Sequence, residues 1–445
     1  MRVLITFFIG VFFAGLLVLV PGAQLGGQVF SDGLSYYHLQ IAKLFWSDGV
    51  VFDYANVFGG RLVVLQPYHV LLAVFAEFFA GALAMSVLNG LLHAFSFVLI
   101  AFIMKENVYV RHLGNYFLLL YAISIPVLAG IVSPSPAVFA VFLLLVGTYL
   151  FLHGRYWLAG CVFFLLSLHG LFANIVGLAW LLFLCRFQNK SPDLFFFLLV
   201  ILLFFNFPLY FYAQLPFAEH GSFVAEFGGL SSFSLVVLLL SFIGVLFVWR
   251  YKTRIYALYI FLLLLFVLSF YERDVLLFAN FFVVFLSAHT VYALTKIKFV
   301  TKLKPFFVFF VFAGLFLQPF SFVLRTPELV PAELMADILL AGRSAVTLSS
   351  PDIGFLISFW GGVPVSDGLS GYANYDSISR LVSLAFDSGE LEQLKTHLNE
   401  LKVKRILLTP ALAKQHPRFA ELLTNSETFK SLSRSNGYVL YDYTP

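Results

Sequence analysis

Asp32-Gly33-Leu34-Ser35-Tyr36-Tyr37-His38, then Phe52-Asp53-Tyr54-Ala55-Asn56, then Phe58-Gly59-Gly60-Arg61, form one polar, aromatic, turn-rich stretch in a chain that is otherwise largely apolar as far as residue 323. A polar segment of this length just beyond a first membrane helix is expected to sit at one membrane face. Its carboxylates, histidine and arginine are the groups that handle a phosphate or a metal there.

The surrounding composition sets that expectation. Of 445 residues, 61% are apolar, 11% are charged and 57 are Phe. A soluble chain carries about 25% charged residues, so the fold class expected is a polytopic α-helical membrane protein. Apolar runs over 3–20, 86–104, 113–132, 137–152, 156–169, 171–185, 194–213, 232–249, 255–271, 275–295 and 305–323 give about eleven spans. The run after Met1-Arg2 exceeds a signal-peptide core and is read as a retained first span. Residues 67–83 are apolar as well, but counting them as a span inverts every later loop. With that segment held at the interface, Arg2, Lys105, Arg111, Arg155, Arg186, Lys190, Arg250, Lys252, Arg254, Lys296, Lys298, Lys302 and Lys304 share one side. By the positive-inside rule that side is cytoplasmic, with the N-terminus in and the C-terminal part outside.

Acidic residues sort the other way: Asp32, Asp48, Asp53, Glu77, Glu219, Glu226, Glu272 and Asp274 all fall on the outer side. The formal net charge of +4 therefore reports cytoplasmic loops and not a nucleic-acid surface. Cys161 and Cys185 lie in apolar runs and read as packed, unreactive thiols, with no disulfide framework. A domain boundary is expected at 323/324, with a membrane domain over 1–323, its long external loop over 21–85, and an extracytoplasmic domain over 324–445. In the latter, 333–340 reads as a helix and 345–348 as a strand. Ser350-Pro351-Asp352 reads as a helix start closed by Gly361-Gly362. Residues 374–386 and 390–402 read as helices, and 405–409 and 437–443 as strands. Strands alternating with helices make this a small α/β domain.

Two readings of Asp32 and Asp53 stand side by side. Carboxylates at a membrane surface can hold a divalent cation against a lipid phosphate or take a proton from an acceptor. They can equally cap an interfacial helix, expected over 36–46, with an aromatic belt. Within the spans, His93, His169, Asn174 and Asn206 are expected to hydrogen-bond between helices, with cavity lining as the alternative. Asp352 reads as a first-turn acid, and Arg273 as either a phosphate ligand or a snorkelling anchor beside Glu272 and Asp274.

Tyr37-His38-Leu39, Phe52-Asp53-Tyr54 with Asn56 and Gly59, and the apolar segment after Pro67 resemble the first external loop of the C-type membrane glycosyltransferases. The likeness is greatest to the catalytic subunit of archaeal oligosaccharyltransferases. Val224-Ala225-Glu226 is similar to that family's Thr-Ile-x-Glu motif, whose Glu reaches the metal site. Tyr271-Glu272-Arg273 resembles its Arg-Phe pair, whose Arg binds the donor pyrophosphate, with Asp274 in place of the Phe. Ser350-Pro351-Asp352-Ile353-Gly354-Phe355, followed by Pro364-Val365-Ser366-Asp367-Gly368, stands where the family has Trp-Trp-Asp-Tyr-Gly and then Arg-Pro-Val-x-x-Asp.

The departures are specific. Leu34 occupies the position of the family's first Asp, four residues before the His. Ser133-Pro134-Ser135-Pro136 replaces its second acidic pair, and Ser350-Pro351 replaces the aromatic pair that recognises a glycosylation sequon. The resemblance implies inverting transfer of a sugar or oligosaccharide from a polyprenyl-phosphate-linked donor to an acceptor on the outer face. Asp32, Asp53 and Glu226 would be catalytic, and Arg273, Arg61, His38, Tyr37 and Asp352 would bind substrate. A divalent cation, Mg or Mn, would rest on Asp32 and Glu226. The alternative is a non-catalytic homologue acting as a lipid-carrier binding or assembly subunit. A transporter is disfavoured because the spans hold few ionisable groups and no inverted repeat.

Overall fold

The computed structural model describes residues 30, 33–48, 52–53, 61–62, 65–79, 81–106, 110–132, 134–187, 233, 235–249, 252–269, 275–296, 309, 313, 330, 334, 336–338, 345–366 and 375–444. Asp32, Glu226, Arg273 and the expected spans over 3–20 and 194–213 lie outside these residues, as does the expected boundary at 323/324. The chain divides into two compact units. One comprises Met1–Leu16, Gln66–Tyr68 and Ser86–Thr326, the other Leu17–Leu65, His69–Met85 and Pro327–Pro445.

The order of elements begins with α1 (Gly33–Asp48), β1 (Phe52–Asp53), β2 (Arg61–Leu62), α2 (Pro67–Phe78) and α3 (Gly81–Glu106). A 3-10 turn follows, then α4 (Gly114–Ala122), α5 (Ile125–Val132), α6 (Pro136–Leu152), α7 (Tyr156–Ser167) and α8 (Leu171–Phe187). Beyond these come α9 (Leu235–Trp249), α10 (Lys252–Leu268) and α11 (Val275–Lys296).

The first unit is a helical bundle. Among the described residues two helices, α3 and α11, are long and apolar enough to cross a membrane. The run over 113–132, expected as one span, is two helices. Pro126 in the first turn of α5 has no N–H for the carbonyl one turn back, and its ring clashes with a continued helix. The chain therefore breaks at Ile123-Ser124, where the Ser124 hydroxyl donates to Tyr121 O at 2.8 Å. Close packing elsewhere depends on small residues. Gly244 of α9 lies so tightly against the Leu286 backbone of α11 that a Cβ has no room. On the same seam Ser287 Oγ donates to Val237 O at 2.9 Å and Thr290 Oγ1 to Leu240 O at 2.7 Å. Small residues and hydroxyls binding helix to helix are how bundles cohere where lipid removes the hydrophobic drive. Trp180 donates to Thr148 Oγ1 at 2.7 Å and Asn280 Nδ2 to Ser124 Oγ at 2.9 Å. On the outer side of α9, Leu239, Phe242, Ile243, Leu246 and Trp249 are exposed, an apolar helical stripe suited to lipid. Cys185 is packed as expected, but Cys161 is exposed on α7, near the exposed Trp157, Leu158 and Leu165. An apolar run says nothing about which side of a helix its thiol takes.

The second unit contains α1, most of α2 and a five-stranded mixed sheet. Its remaining elements are β3 (Val346–Leu348), α12 (Pro351–Phe359), β4 (Val363–Pro364), α13 (Tyr375–Phe386), α14 (Leu391–Glu400), β5 (Arg405–Leu408), α15 (Pro410–Gln415), α16 (Pro417–Asn425), β6 (Phe429–Ser435) and β7 (Tyr438–Tyr443). The strand order is β4-β3-β5-β7-β6, with β3 parallel to β4 and β5, and β7 antiparallel to β5 and β6. Leu348, Val382, Leu394, Leu398, Ile406, Phe419 and Tyr441 belong to its core. Asn436 and Gly437, at φ +49° and +79°, make the tight turn between β6 and β7, where left-handed residues match strand twist. Strand β6 was hidden from pattern reading because three consecutive positions, Lys430, Ser431 and Leu432, are exposed on an edge.

Candidate functional site

The organising contact of the second unit is between two stretches far apart in sequence. Gly33 begins α1 three residues before the expected start at 36, and Tyr36, Tyr37 and His38 take successive directions around the helix. Tyr36 is fully buried, its ring 5.3 Å from Phe359 and 5.3 Å from Phe30, and its hydroxyl accepts from Phe30 N at 3.2 Å. Tyr37, the next residue round the helix, sets its ring 4.9 Å from Phe355. One turn on, Gln40 Oε1 accepts from Ser358 Oγ at 3.0 Å. Phe355, Ser358 and Phe359 follow one another at helical spacing on α12, so one face of that helix receives α1.

The partner helix α12 forms as its sequence dictates. Ser350 holds extended backbone, Pro351 occupies the first helical position, and Gly361, at φ +84°, ends the helix with Gly362 buried against Ile357 and Ile338. Asp352 lies in the first turn of α12, and its side chain is outside the described residues.

His38 makes the second link. Its Nδ1 lies 3.0 Å from His69 Nε2 on α2, the two rings stacked with centroids 5.2 Å apart. Burial presses the His38 imidazole from its usual 6.5 down to about 3. That shift leaves a neutral ring at pH 7. The backbone of the loop closes in a short antiparallel pair that sets Asp53 opposite Arg61 and Phe52 opposite Leu62.

Thus Tyr37 and His38 share one packed region with the α12 helix that carries Asp352, while Asp53 and Arg61 share one strand register. Sequence reading missed His69, Gln40 and Ser358 and gave Phe355 no role of its own. The signal for His69 was present, since Tyr68-His69 interrupts the polarity pattern of the 67–83 segment, but nothing local identifies its partner.

A resident cation of the kind expected needs a donor set. Among the described residues no three His, Cys, Asp or Glu side chains gather to hold one. At the position of the second acidic pair, Pro134, Ser135 and Pro136 lead into α6 and supply no carboxylate. These described positions do not fit a divalent cation held by acids. A cavity of about 600 Å³ among Leu391, Arg418, Glu421 and Thr428 lies elsewhere in the second unit, and none of the expected residues lines it.

No protein-family model matches the chain, and no curated protein matches it. Solved structures do. Archaeal oligosaccharyltransferase AglB from Archaeoglobus fulgidus, in complex with an inhibitory peptide and a dolichol-phosphate, is similar at 11% identity and a TM-score of 0.59, covering 98% of this chain and 74% of that one. The Archaeoglobus fulgidus oligosaccharyltransferase in complex with Zn and sulfate matches at 11% identity and a TM-score of 0.60, with coverages of 96% and 72%. ArnT from Cupriavidus metallidurans in the apo state matches at 9% identity and a TM-score of 0.56, covering 98% of each chain. At 9–11% identity these matches speak for the fold. The chain has the fold of the C-type membrane glycosyltransferases.

Proposed function

We propose that this protein is a multi-pass cell-membrane glycosyltransferase that takes a sugar or oligosaccharide from a polyprenyl-phosphate-linked donor and transfers it, with inversion, to an acceptor on the outer face. The observation that carries the reading is the seating of Tyr37 on Phe355 and of Gln40 on Ser358. It unites the two stretches, separated by most of the chain, that resemble the family's first loop and its Trp-Trp-Asp-Tyr-Gly segment. In this reading residues 1–323 form the membrane domain with about eleven spans, the loop 21–85 faces outward, and 324–445 form the extracytoplasmic domain. The N-terminus is cytoplasmic.

The acceptor attacks the anomeric carbon in line as the bond from that carbon to the phosphate oxygen breaks. Asp32, with Asp53 as the alternate, orients the acceptor and takes its proton, and Glu226 completes the acidic side. The electron pair leaves with the phosphate, whose charge Arg273 and Arg61 stabilise through bidentate guanidinium contacts. A Mg or Mn ion on Asp32 and Glu226 would draw the rest of its shell from water and phosphate oxygens. Pro134-Ser135-Pro136 offers such an ion no further carboxylate, which weakens its binding but leaves the phosphate to the arginines.

The test is incubation of purified protein with labelled lipid-linked sugars and a screen of acceptors. Asp32→Ala and Glu226→Ala should abolish transfer while the protein remains in the membrane, and full activity of both would end this assignment. A second reading is favoured by Leu34 and Pro134-Ser135-Pro136 standing where the family has acids: a non-catalytic homologue that binds the lipid carrier. Carrier binding without turnover by wild-type protein, over the full acceptor screen, would select it.

A further inference from the structure

We infer that the end of the bundle where the 3-10 turn Arg111–Leu113 meets the last turn of α11 binds an anionic phospholipid. Arg111, His112 and Lys296 hold the headgroup phosphate, and the aromatic seam between α4 and α11 takes an acyl chain. The site asks only that α11 cross a membrane, for which its length and composition suffice, and it stands apart from any sugar chemistry.

One ring gathers the basic side chains. Tyr292 of α11 has the His112 ring at 4.5 Å, centroid to centroid, and Lys296 Nζ at 5.8 Å from its own centroid, within cation–π range. Tyr116 of α4 braces the same ring at 6.1 Å, and its hydroxyl lies 3.4 Å from Thr295 Oγ1. A turn and a helix end far apart in sequence are thus fastened side by side, with Arg111 next to His112 on the turn. Arg111, His112 and Lys296 are all exposed.

Their charge is uncompensated. Among the described residues neither Arg111 nor Lys296 has a carboxylate within ion-pair distance, and the 3-10 turn, α4 and α11 contain no Asp or Glu. Glu106, the carboxylate nearest to the turn in sequence, lies 3.0 Å from His153. Helix α4 starts at Gly114, so the positive end of its dipole adds to the same field. A phosphate diester supplies the negative charge and the acceptor oxygens that a guanidinium and an ammonium both need.

The surface beside these cations marks the ligand as a lipid. Phe281, Phe285, Tyr292 and Lys296 fall on one stripe of α11, and the three rings are half-buried. Phe117 of α4 lies 5.0 Å from Phe281 and 6.4 Å from Phe285, ring to ring. From Phe281 to Lys296 the stripe rises about 22 Å, more than the roughly 15 Å hydrocarbon depth of one leaflet. A chain lying along it keeps its headgroup level with Arg111, His112 and Lys296, and Tyr292 there has the place of an interfacial aromatic. Basic clusters at such a level recognise anionic headgroups.

The test uses the full chain in detergent, with lipid occupancy read by native mass spectrometry. The probes are dioleoyl phosphatidylglycerol, dioleoyl phosphatidylcholine and glycerol phosphate. Phosphatidylglycerol should bind at least about tenfold more tightly than phosphatidylcholine, whose choline opposes the cations. Arg111→Gln and Lys296→Gln should each weaken phosphatidylglycerol about fivefold, the scale of one basic side chain at an anionic surface. Tyr292→Leu, which removes the gathering ring, should weaken it at least as much, and Tyr292→Phe should retain most of the affinity. Arg155→Gln removes an exposed cation from the turn before α7 and should leave binding unchanged. If Tyr292→Leu fails to fold, the contrast between Arg111→Gln and Arg155→Gln, both at exposed positions, decides the matter. Equal affinity for the two phospholipids, or a loss in Arg155→Gln matching that in Arg111→Gln, would overturn the site, because the attraction would then be diffuse. Glycerol phosphate binding as tightly as phosphatidylglycerol would overturn the acyl-chain seam.

Discussion

His38 on α1 and His69 on α2 lie Nδ1 to Nε2 at 3.0 Å with their rings stacked. A hydrogen bond between two imidazoles requires at least one to present a bare nitrogen, and burial of His38 secures that by holding its pKa down.

The sign of the pH dependence follows. A histidine whose folded value lies below its unfolded 6.5 contributes its full stability above pH 6.5 and loses it progressively as pH falls toward about 3. Hydrogen exchange over Gly33–Asp48 should therefore be slow and flat from pH 8 to 7 after correction for intrinsic rates. It should quicken steadily on acidification below 6.5. His69→Phe, which keeps a ring there but removes this bond, should cost about 1 kcal/mol at pH 7 and leave the acid response, which burial of His38 produces, in place. A His69→Phe protein as stable as wild type at pH 7 would count against the pairing.

The contact of α1 with α12 makes an energetic prediction. Tyr37→Ala and Phe355→Ala should each destabilise the second unit by about 2–4 kcal/mol. Their effects should couple by about 1 kcal/mol in a double-mutant cycle, because the two rings meet at 4.9 Å. Additive effects in thermal unfolding of the full chain would place the rings apart.

Gly244 tests the bundle. Gly244→Ala forces a Cβ into the Leu286 backbone and should cost more than about 2 kcal/mol. Gly114→Ala, whose Cβ would meet Met104 Cβ at an ordinary 3.8 Å, should be tolerated. Unfolding midpoints in one detergent give the comparison.

Thr409 caps α15, its hydroxyl accepting from Leu412 N at 3.0 Å in a buried setting. Thr409→Ala should lower stability by about 1 kcal/mol and Thr409→Ser by much less. Circular dichroism melts of the intact protein read the difference.

Much of this architecture is legible in the residues. Hydropathy runs mark the helices, Ser350-Pro351 and Gly361-Gly362 bracket α12 as read, a buried apolar run stopped by Pro410 marks β5, and alternation marks β7. The split of 113–132 was also written, in Pro126, but was overridden by the expectation of a full-length span. α15 and α16 escaped because each is short and starts at a proline that reads equally as a stop. At the site, Tyr37 and His38 stood out for their polarity, whereas His69 and Phe355 acquire meaning only through tertiary partners. Nothing within one loop's sequence specifies which distant helix it will meet.

The central claim is tested most directly by following labelled sugar on a polyprenyl-phosphate donor incubated with purified full-length protein and an acceptor pool. The account predicts that wild-type protein moves label from the lipid phase to acceptor with inverted anomeric configuration, and that Arg273→Ala does so at a small fraction of that rate. Label remaining on the lipid with every acceptor, or Arg273→Ala turning over as fast as wild type, would contradict it.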